Sequence, residues 1–364
     1  MLVAKMYSLS VSFCSAILCH LAVLYVGQVS VTAAADSRKQ RVVLDNSFVS
    51  RSWGLLPKQL ALSHSVLRQI RGGGESTPTR YGRISVDEYR LTPEQVEQFH
   101  RDGCVTLPDV LTEAEVTEIE QVFDGFMTGA IPPPPGKDFC DMSKPFGIPE
   151  EEWSIVNCML PTRYYPPLEG NVYERLAANI AMQLFPASDM IKDYDQLLNK
   201  RPGKQDAVFP FHQDSAYWPL PEALNVSRTE TCTFSLAIDD SDGSNGCLRY
   251  VAGSGAAKQL WPHRPLAKSR DEGHALVVDV DESVHDVRLA PAKRGSVTVH
   301  DEWVVHGSAG NTCPDRQRRT YVVAFRAREI VEAERRIGFT HSHNDKVNWD
   351  TFNDGASHRV NKEN

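Results

Sequence analysis

The hydrophobic positions of this chain change period part-way along it. Between Thr92 and Leu184 apolar residues recur at helical spacing. Thr92-Pro93-Glu94-Gln95 is a capping box with proline at the first helical position, and predicts a helix to about Arg101. Thr112-Glu113-Ala114-Glu115 repeats the device before a longer helix ending near Met127. Leu176, Ile180 and Leu184 share one face of a third helix over residues 173–184. Cys104-Val105-Thr106-Leu107 reads as a short strand, and residues 131–136, with four consecutive prolines, leave little room for regular structure.

From about Gln196 onward the period is two. Phe234, Leu236 and Ile238 alternate with Thr233, Ser235 and Ala237, and residues 296–300 and 320–326 alternate likewise. Residues 275–280 and 287–290 are further strand candidates, with glycine and proline in the gaps. Helices first and many short strands afterwards predict a mainly β fold with flanking α: a double-stranded β-helix (jelly roll, cupin-like) with N-terminal helices packed outside. The folded domain is expected over residues 89–332. A polar C-terminal tail over 333–364 would leave His341 and His343 solvated.

The N-terminus belongs to another class of segment. After Lys5 no acidic or basic residue other than His20 occurs until Asp36. Its most apolar part, residues 13–26, has the length of a signal-peptide core, and Ala33-Ala34-Ala35 offers small residues for cleavage. Residues 1–35 are thus expected to be a signal peptide or signal anchor, with a membrane tether through residues 6–33 if uncleaved. Residues 36–88 are basic and Ser-containing, with Gly72-Gly73-Gly74, and read as a linker or second targeting segment. Entry into the secretory pathway is the expectation. A plastid reached through a signal-plus-transit leader is the alternative. Asn225-Val226-Ser227 is a glycosylation sequon that such a route would make usable.

Composition narrows the partners. The net charge of −8 arises from mixed signs, with no long basic run in the C-terminal two-thirds, so nucleic acid is not an expected partner. The six cysteines beyond the leader show no metal-ligand spacing and are expected as buried thiols.

The candidate chemistry lies in Phe211-His212-Gln213-Asp214-Ser215 and His306-Gly307-Ser308. A His and an Asp two apart on an extended segment point to one face. Were residues 211–215 extended, His212 and Asp214 could bind one ion. His306, at the end of a strand-like segment over 295–305, could be brought alongside by a jelly roll. Two imidazoles and one carboxylate form the facial triad that leaves coordination positions open on non-heme Fe(II). Trp218 and Phe209 could equally be core aromatics, and Asn199 could merely hold a turn. His300 reads as packed near the site rather than as a ligand.

These motifs, with Leu91-Thr92-Pro93-Glu94-Gln95, Phe99-His100-Arg101-Asp102-Gly103, Asn199-Lys200-Arg201-Pro202-Gly203, Gly246-Cys247-Leu248 and Arg318-Arg319, occur in one order over residues 92–326. In that order the chain resembles the phytanoyl-CoA dioxygenase family, which includes the ectoine hydroxylases. The resemblance implies Fe(II) on His212, Asp214 and His306, with 2-oxoglutarate as co-substrate and O2 as oxidant. It implies further that Ser308, Asn199, Phe209 and Trp218 line or bond the co-substrate. An arginine would grip the distal carboxylate, since its fork binds two oxygens where a lysine cannot. Arg318 is the choice, and the spacing from His306 leaves Arg319 open. With Asp214 present there is no vacancy for chloride, which argues against a halogenase. Leu197 stands where the ectoine enzymes carry an arginine, and neither a coenzyme A patch nor a terminal Ser-Lys-Leu is present.

The implied reaction is hydroxylation of an unactivated C–H bond in a small metabolite, with release of succinate and CO2. Residues 131–149, 163–170 and 218–227 are the expected pocket walls. The rival readings are a non-catalytic metal-binding jelly roll serving as a sensor or binding module, and a zinc hydrolase using the same ligands.

Overall fold

The computed structural model describes residues 85–266 and 275–348. The expected leader and most of the linker lie outside the described residues. Among the described residues no helix is long and apolar enough to cross a membrane.

Both capping boxes form. Helix α1 (Pro93–Asp102) starts where Thr92 Oγ1 accepts from the Gln95 amide and Gln95 Oε1 accepts from the Thr92 amide. Helix α2 (Glu113–Thr128) starts with the same exchange between Thr112 and Glu115. Gly103 and Gly129 end these helices in the left-handed conformation. Helix α3 (Val172–Leu184) is capped by Asn171. The domain includes residues before 89: the turn Val86–Glu88 is fastened by Asn179, whose amide donates to the carbonyls of Val86 and Tyr89.

The strands are β1 (Cys104–Leu107), β2 (Phe139–Asp141), β3 (Ile155–Met159), β4 (Met190–Lys200), β5 (Phe209–His212), β6 (Thr231–Ala237), β7 (Leu248–Val251), β8 (Arg264–Pro265), β9 (Leu276–Val277), β10 (Val287–Ala290), β11 (Val297–His300), β12 (His306–Ser308) and β13 (Arg318–Ala327). They form a seven-stranded sheet in the order β1-β11-β6-β13-β4-β3-β2 and a four-stranded sheet in the order β10-β7-β12-β5, with β8 and β9 as a separate pair. The pairings in both sheets are antiparallel. This is the expected jelly roll.

Alternation divides the large sheet's two faces between different tasks. Leu197, Phe234, Leu236, Tyr321 and Val323 pack outward against Phe99, Val116, Phe123, Leu176 and Ile180 of the helices. Each such side chain gains roughly 1.5–3 kcal/mol from burial, so the helix faces outweigh the caps in holding the layer on. The intervening residues Leu198, Thr233, Ser235, Thr320 and Val322 face the other way and line a cavity. Strand β4 begins six residues earlier than period two suggests, because buried Asp193 and Asp195 interrupt the apolar alternation. Of residues 275–280 only Leu276–Val277 pairs as strand.

The C-terminal expectation is corrected. Helix α4 (Arg328–Arg336) crosses the predicted domain end, and the segment after it packs on the domain. His341 and His343 are buried, not solvated. His341 bonds Asp193 at 2.8 Å and its ring lies 4.4 Å from that of Tyr194. The Asp138 carboxylate accepts from the Ser342 hydroxyl and the His343 amide, tying this segment to the loop before β2. Polar composition here reflects satisfied hydrogen bonds rather than exposure. The six described cysteines are free, five of them buried, and Asn225 of the sequon is exposed.

Candidate active site

Strand β5 ends at His212. Gln213 stays extended (φ −117°, ψ 137°), and Asp214 opens a single 3-10 turn, Asp214–Ala216, so the strand is shorter than expected. The one extended residue between them suffices to bring both side chains to the same side. Gln213 points the opposite way and is fully used: its amide donates to the carbonyls of Gln259 (3.0 Å) and Trp303 (2.5 Å) and accepts from the Trp261 N–H (2.7 Å). The middle residue of the motif therefore pins the ligand-bearing segment to two loops.

His306 does not end a long strand. Strand β11 stops at His300, the Asp301 carboxylate caps the amides of Trp303 and Val304, and His306 opens β12 in the other sheet. That crossover carries the chain from one wall of the cavity to the other. One ligand atom from each of His212, Asp214 and His306 lies within 4.8 Å of the others. Asp214 Oδ1 is 3.7 Å from His212 Nε2 and 3.5 Å from His306 Nε2.

The donor set suits a divalent ion. His212 Nδ1 donates to the Pro210 carbonyl (2.7 Å) and His306 Nδ1 to the Val304 carbonyl (3.0 Å), which leaves both Nε2 lone pairs facing the common point. Burial, with His300 and His212 nearby, pushes the His306 imidazole well below its usual value and keeps it neutral. Burial opposes ionisation of Asp214, but the imidazoles of His306, His212 and His300 around it hold its carboxyl well below the usual range. Thr233 donates to Asp214 Oδ2 at 3.1 Å, so Oδ1 is the oxygen left for a metal. His300 takes the place expected of it: buried, its Nε2 3.3 Å from Asp214 Oδ2 and its ring 4.1 Å from that of His306.

The cavity beside this centre is lined by Phe209, Ser308, Arg318, Leu198, Thr320 and Val322, among others. Arg318 is buried, its Nε has no hydrogen-bond partner, and burial lowers its pKa to about 10. A buried arginine without an acid is a costly arrangement that an anionic ligand would relieve. Arg319 is spoken for. It bonds Asp239 twice, and also Asp124 and Glu120, on the helix side of the sheet. Of the two arginines, Arg318 faces the cavity and Arg319 faces the helices.

The other predicted residues divide. Phe209 and Ser308 line the cavity, and Trp218 borders the adjoining space with Met142, Tyr194, Gln196 and Tyr217. Asn199 does not join them. It lies between the inward residues Leu198 and Lys200, in register with Arg319, and donates to Gln317. Residues 163–170 contribute nothing to either lining, whereas residues 131–149 contribute Met142 and residues 218–227 contribute Trp218. Sequence reading passed over Tyr194, Gln196 and Thr233, whose shared feature is an inward position on β4 or β6.

The chain belongs to the phytanoyl-CoA dioxygenase family, whose model matches residues 99–320. It is a 2-oxoglutarate-dependent non-heme iron dioxygenase, and Fe(II), 2-oxoglutarate and O2 are its cofactor set. It is similar to an ectoine dioxygenase from Bordetella parapertussis, 23% identical over 255 residues that cover 64% of this chain and 75% of the relative. It is similar also to an L-proline trans-4-hydroxylase from Streptomyces griseoviridis, 21% identical over 233 residues that cover 60% and 81%. Among solved structures, EvdO2 from Micromonospora carbonacea var. aurantiaca complexed with 2-oxoglutarate superimposes with a TM-score of 0.53 at 25% identity, covering 66% of this chain and 92% of that one.

Proposed function

We propose that this enzyme hydroxylates an unactivated C–H bond of a small metabolite, using one O2 and one 2-oxoglutarate and releasing succinate and CO2. His212, Asp214 and His306 would hold Fe(II), and Arg318 with Ser308 would hold the distal carboxylate of 2-oxoglutarate. The observation that carries this reading is the pairing, within one cavity, of three converging ligand atoms with a buried arginine whose Nε has no partner. Iron, when bound, supplies the oxygen activation that couples decarboxylation of the co-substrate to oxidation of the substrate.

The chain's own residues do the rest. Two imidazoles and one carboxylate would leave a bound Fe(II) a single positive charge and open positions that suit the anionic 2-oxo acid end of the co-substrate. The Nδ1 bonds fix both rings, and Gln213 fixes the backbone that carries two of the ligands. On the substrate side Tyr194, Tyr217 and Trp218 offer aromatic surface and Gln196 an amide. This wall supports a metabolite that presents an apolar face to the metal.

Anaerobic addition of Fe(II) and 2-oxoglutarate to the full chain tests the reading. A metal-to-ligand charge-transfer band is expected, and Asp214→Ala and Arg318→Ala should each abolish it. Wild-type protein that gives no band under these conditions overturns the reading. Succinate release on adding fractions of a metabolite extract then identifies the substrate.

A further inference from the structure

Arg318 is not the only buried cation at this end of the cavity. Lys200 is buried completely, on β4, directly across the ladder from Arg318 on β13. Neither basic side chain has a carboxylate within ion-pairing distance among the described residues, whereas Arg319, Arg326 and Arg294 each hold acids. The Lys200 ammonium donates to Ser308 Oγ at 2.6 Å and to the Ala309 carbonyl at 2.6 Å, and stands 5.4 Å from the Phe209 ring centre. Gly246 provides the space, since a Cβ there would sit 3.1 Å from Lys200 Nζ and 2.3 Å from the Ala309 carbonyl oxygen.

Two consequences follow from elementary chemistry. In its ammonium form, which a bound anion favours, Lys200 can only donate, so Ser308 Oγ accepts from it and must send its own proton elsewhere. Ser308 lines the cavity, and no acceptor for that proton is found among the described residues. The free direction is the cavity. Secondly, two basic side chains held on facing strands without an acid favour an anion more strongly than one arginine does: burial and the Arg318 charge push the Lys200 ammonium well below its usual value, and a bound anion would restore it.

We propose that Lys200 is a positioning residue for the co-substrate: it locks the Ser308 hydroxyl as a donor toward the distal carboxylate and adds a second buried positive charge behind it. This rests on the co-substrate reading above. It makes the site a selector for dicarboxylates, in which the lysine acts through Ser308 without touching the ligand. A merely structural lysine, capping the Ala309 carbonyl, would support the fold without affecting that selection.

The test compares two ligands with the same chelating 2-oxo acid end, 2-oxoglutarate and 2-oxovalerate, of which the second lacks the distal carboxylate. Each is titrated calorimetrically into the Fe(II)-loaded full chain without O2. Wild type should prefer 2-oxoglutarate strongly. Lys200→Met should weaken 2-oxoglutarate by about ten-fold or more, the scale of a lost charge-assisted contact, and leave 2-oxovalerate unchanged. Lys200→Gln keeps N–H donors for both oxygens without the charge, and gives a folded comparison if the methionine variant does not fold. It should lose part of the preference. Equal weakening of both ligands, or no change in either, overturns the proposal. Wild type that binds neither ligand overturns the co-substrate reading itself, and is recognised before any variant is made.

Discussion

His212 and His306, 94 residues apart in sequence, are direct register partners across the antiparallel pair β5–β12, with ring centroids 4.4 Å apart. The candidate metal centre is thus a cross-strand pair of the smaller sheet, completed by an aspartate two residues beyond the strand end. The register slips by one residue immediately beside it, since Ser308 pairs with Phe209. Such a bulge bends and re-aims a strand where a site is built.

Gly307 makes that close pairing possible. A Cβ at this position would lie 2.7 Å from the Phe209 carbonyl oxygen and 3.0 Å from the Pro210 carbonyl carbon, both backbone atoms that cannot swing aside. Gly307→Ala must move β12 away from β5 and His306 from His212. The expected result is Fe(II) affinity at least ten-fold weaker, with roughly 1–3 kcal/mol of stability lost to overpacking. Metal titration alongside urea unfolding checks it. Unaltered Fe(II) affinity would show that the pairing is looser than the geometry states.

The neighbouring arginines should respond in opposite ways. Arg318→Met removes the cavity's buried cation with the unpartnered Nε, so 2-oxoglutarate binding should fall by about 100-fold while the ligand-free protein keeps or gains stability. Arg319→Met leaves Asp239, Asp124 and Glu120 without their shared partner, so stability should drop by about 3 kcal/mol with co-substrate affinity nearly unchanged. Calorimetry and denaturant unfolding on both variants separate the two roles. Equivalent behaviour would mean that the side chains share one function.

Sequence pattern alone carried the helices, most of the strands and the His212–Asp214 pair, because each depends on local chemistry: a cap, an alternation, a two-residue spacing; His306, a distant residue, needed the family resemblance beside it. Pattern failed where distant partners satisfy polar groups. Lys200 sits within the motif that ends β4, yet no local rule tells that its ammonium reaches Ser308. Asn199, one residue earlier, drew attention by resemblance but faces the helix side, since alternation allows only one of two neighbours inward. The tail looked solvated because it is polar, although Asp138 and Asp193 bury it.

That last correction can be measured. His341 lies between Tyr194 and Trp218, ring centroids 4.4 and 5.9 Å away, and bonds Asp193. His341→Ala removes buried contacts and one partner of a buried carboxylate, and should cost about 3 kcal/mol. A solvated histidine would change stability by no more than about 0.5 kcal/mol. Urea unfolding at constant pH distinguishes the two.

A pH effect should come from Asp195, on the outer face of β4 and remote from the metal centre. Its carboxylate accepts from the Thr162 amide and hydroxyl and from the Tyr321 hydroxyl, with Lys192 at 3.5 Å. Burial outweighs these, Lys192 opposes it and the nearby Glu174 adds to it, so the pKa rises from 3.8 to about 6. The folded state then holds this proton more tightly than the unfolded chain does. Stability from the protonated form is fully present below about pH 4 and is lost as pH rises through 6, by about 3 kcal/mol in all. Asp195→Asn keeps an acceptor for the Thr162 amide and Tyr321, offers a donor to the Thr162 hydroxyl, and does not titrate. Its unfolding free energy should therefore fall less steeply between pH 4 and 7 than that of the wild type, leaving the variant the more stable protein at neutral pH relative to their difference at pH 4. Parallel curves for the two proteins across that window would mean that Asp195 is ionised throughout, and that Lys192 outweighs its burial.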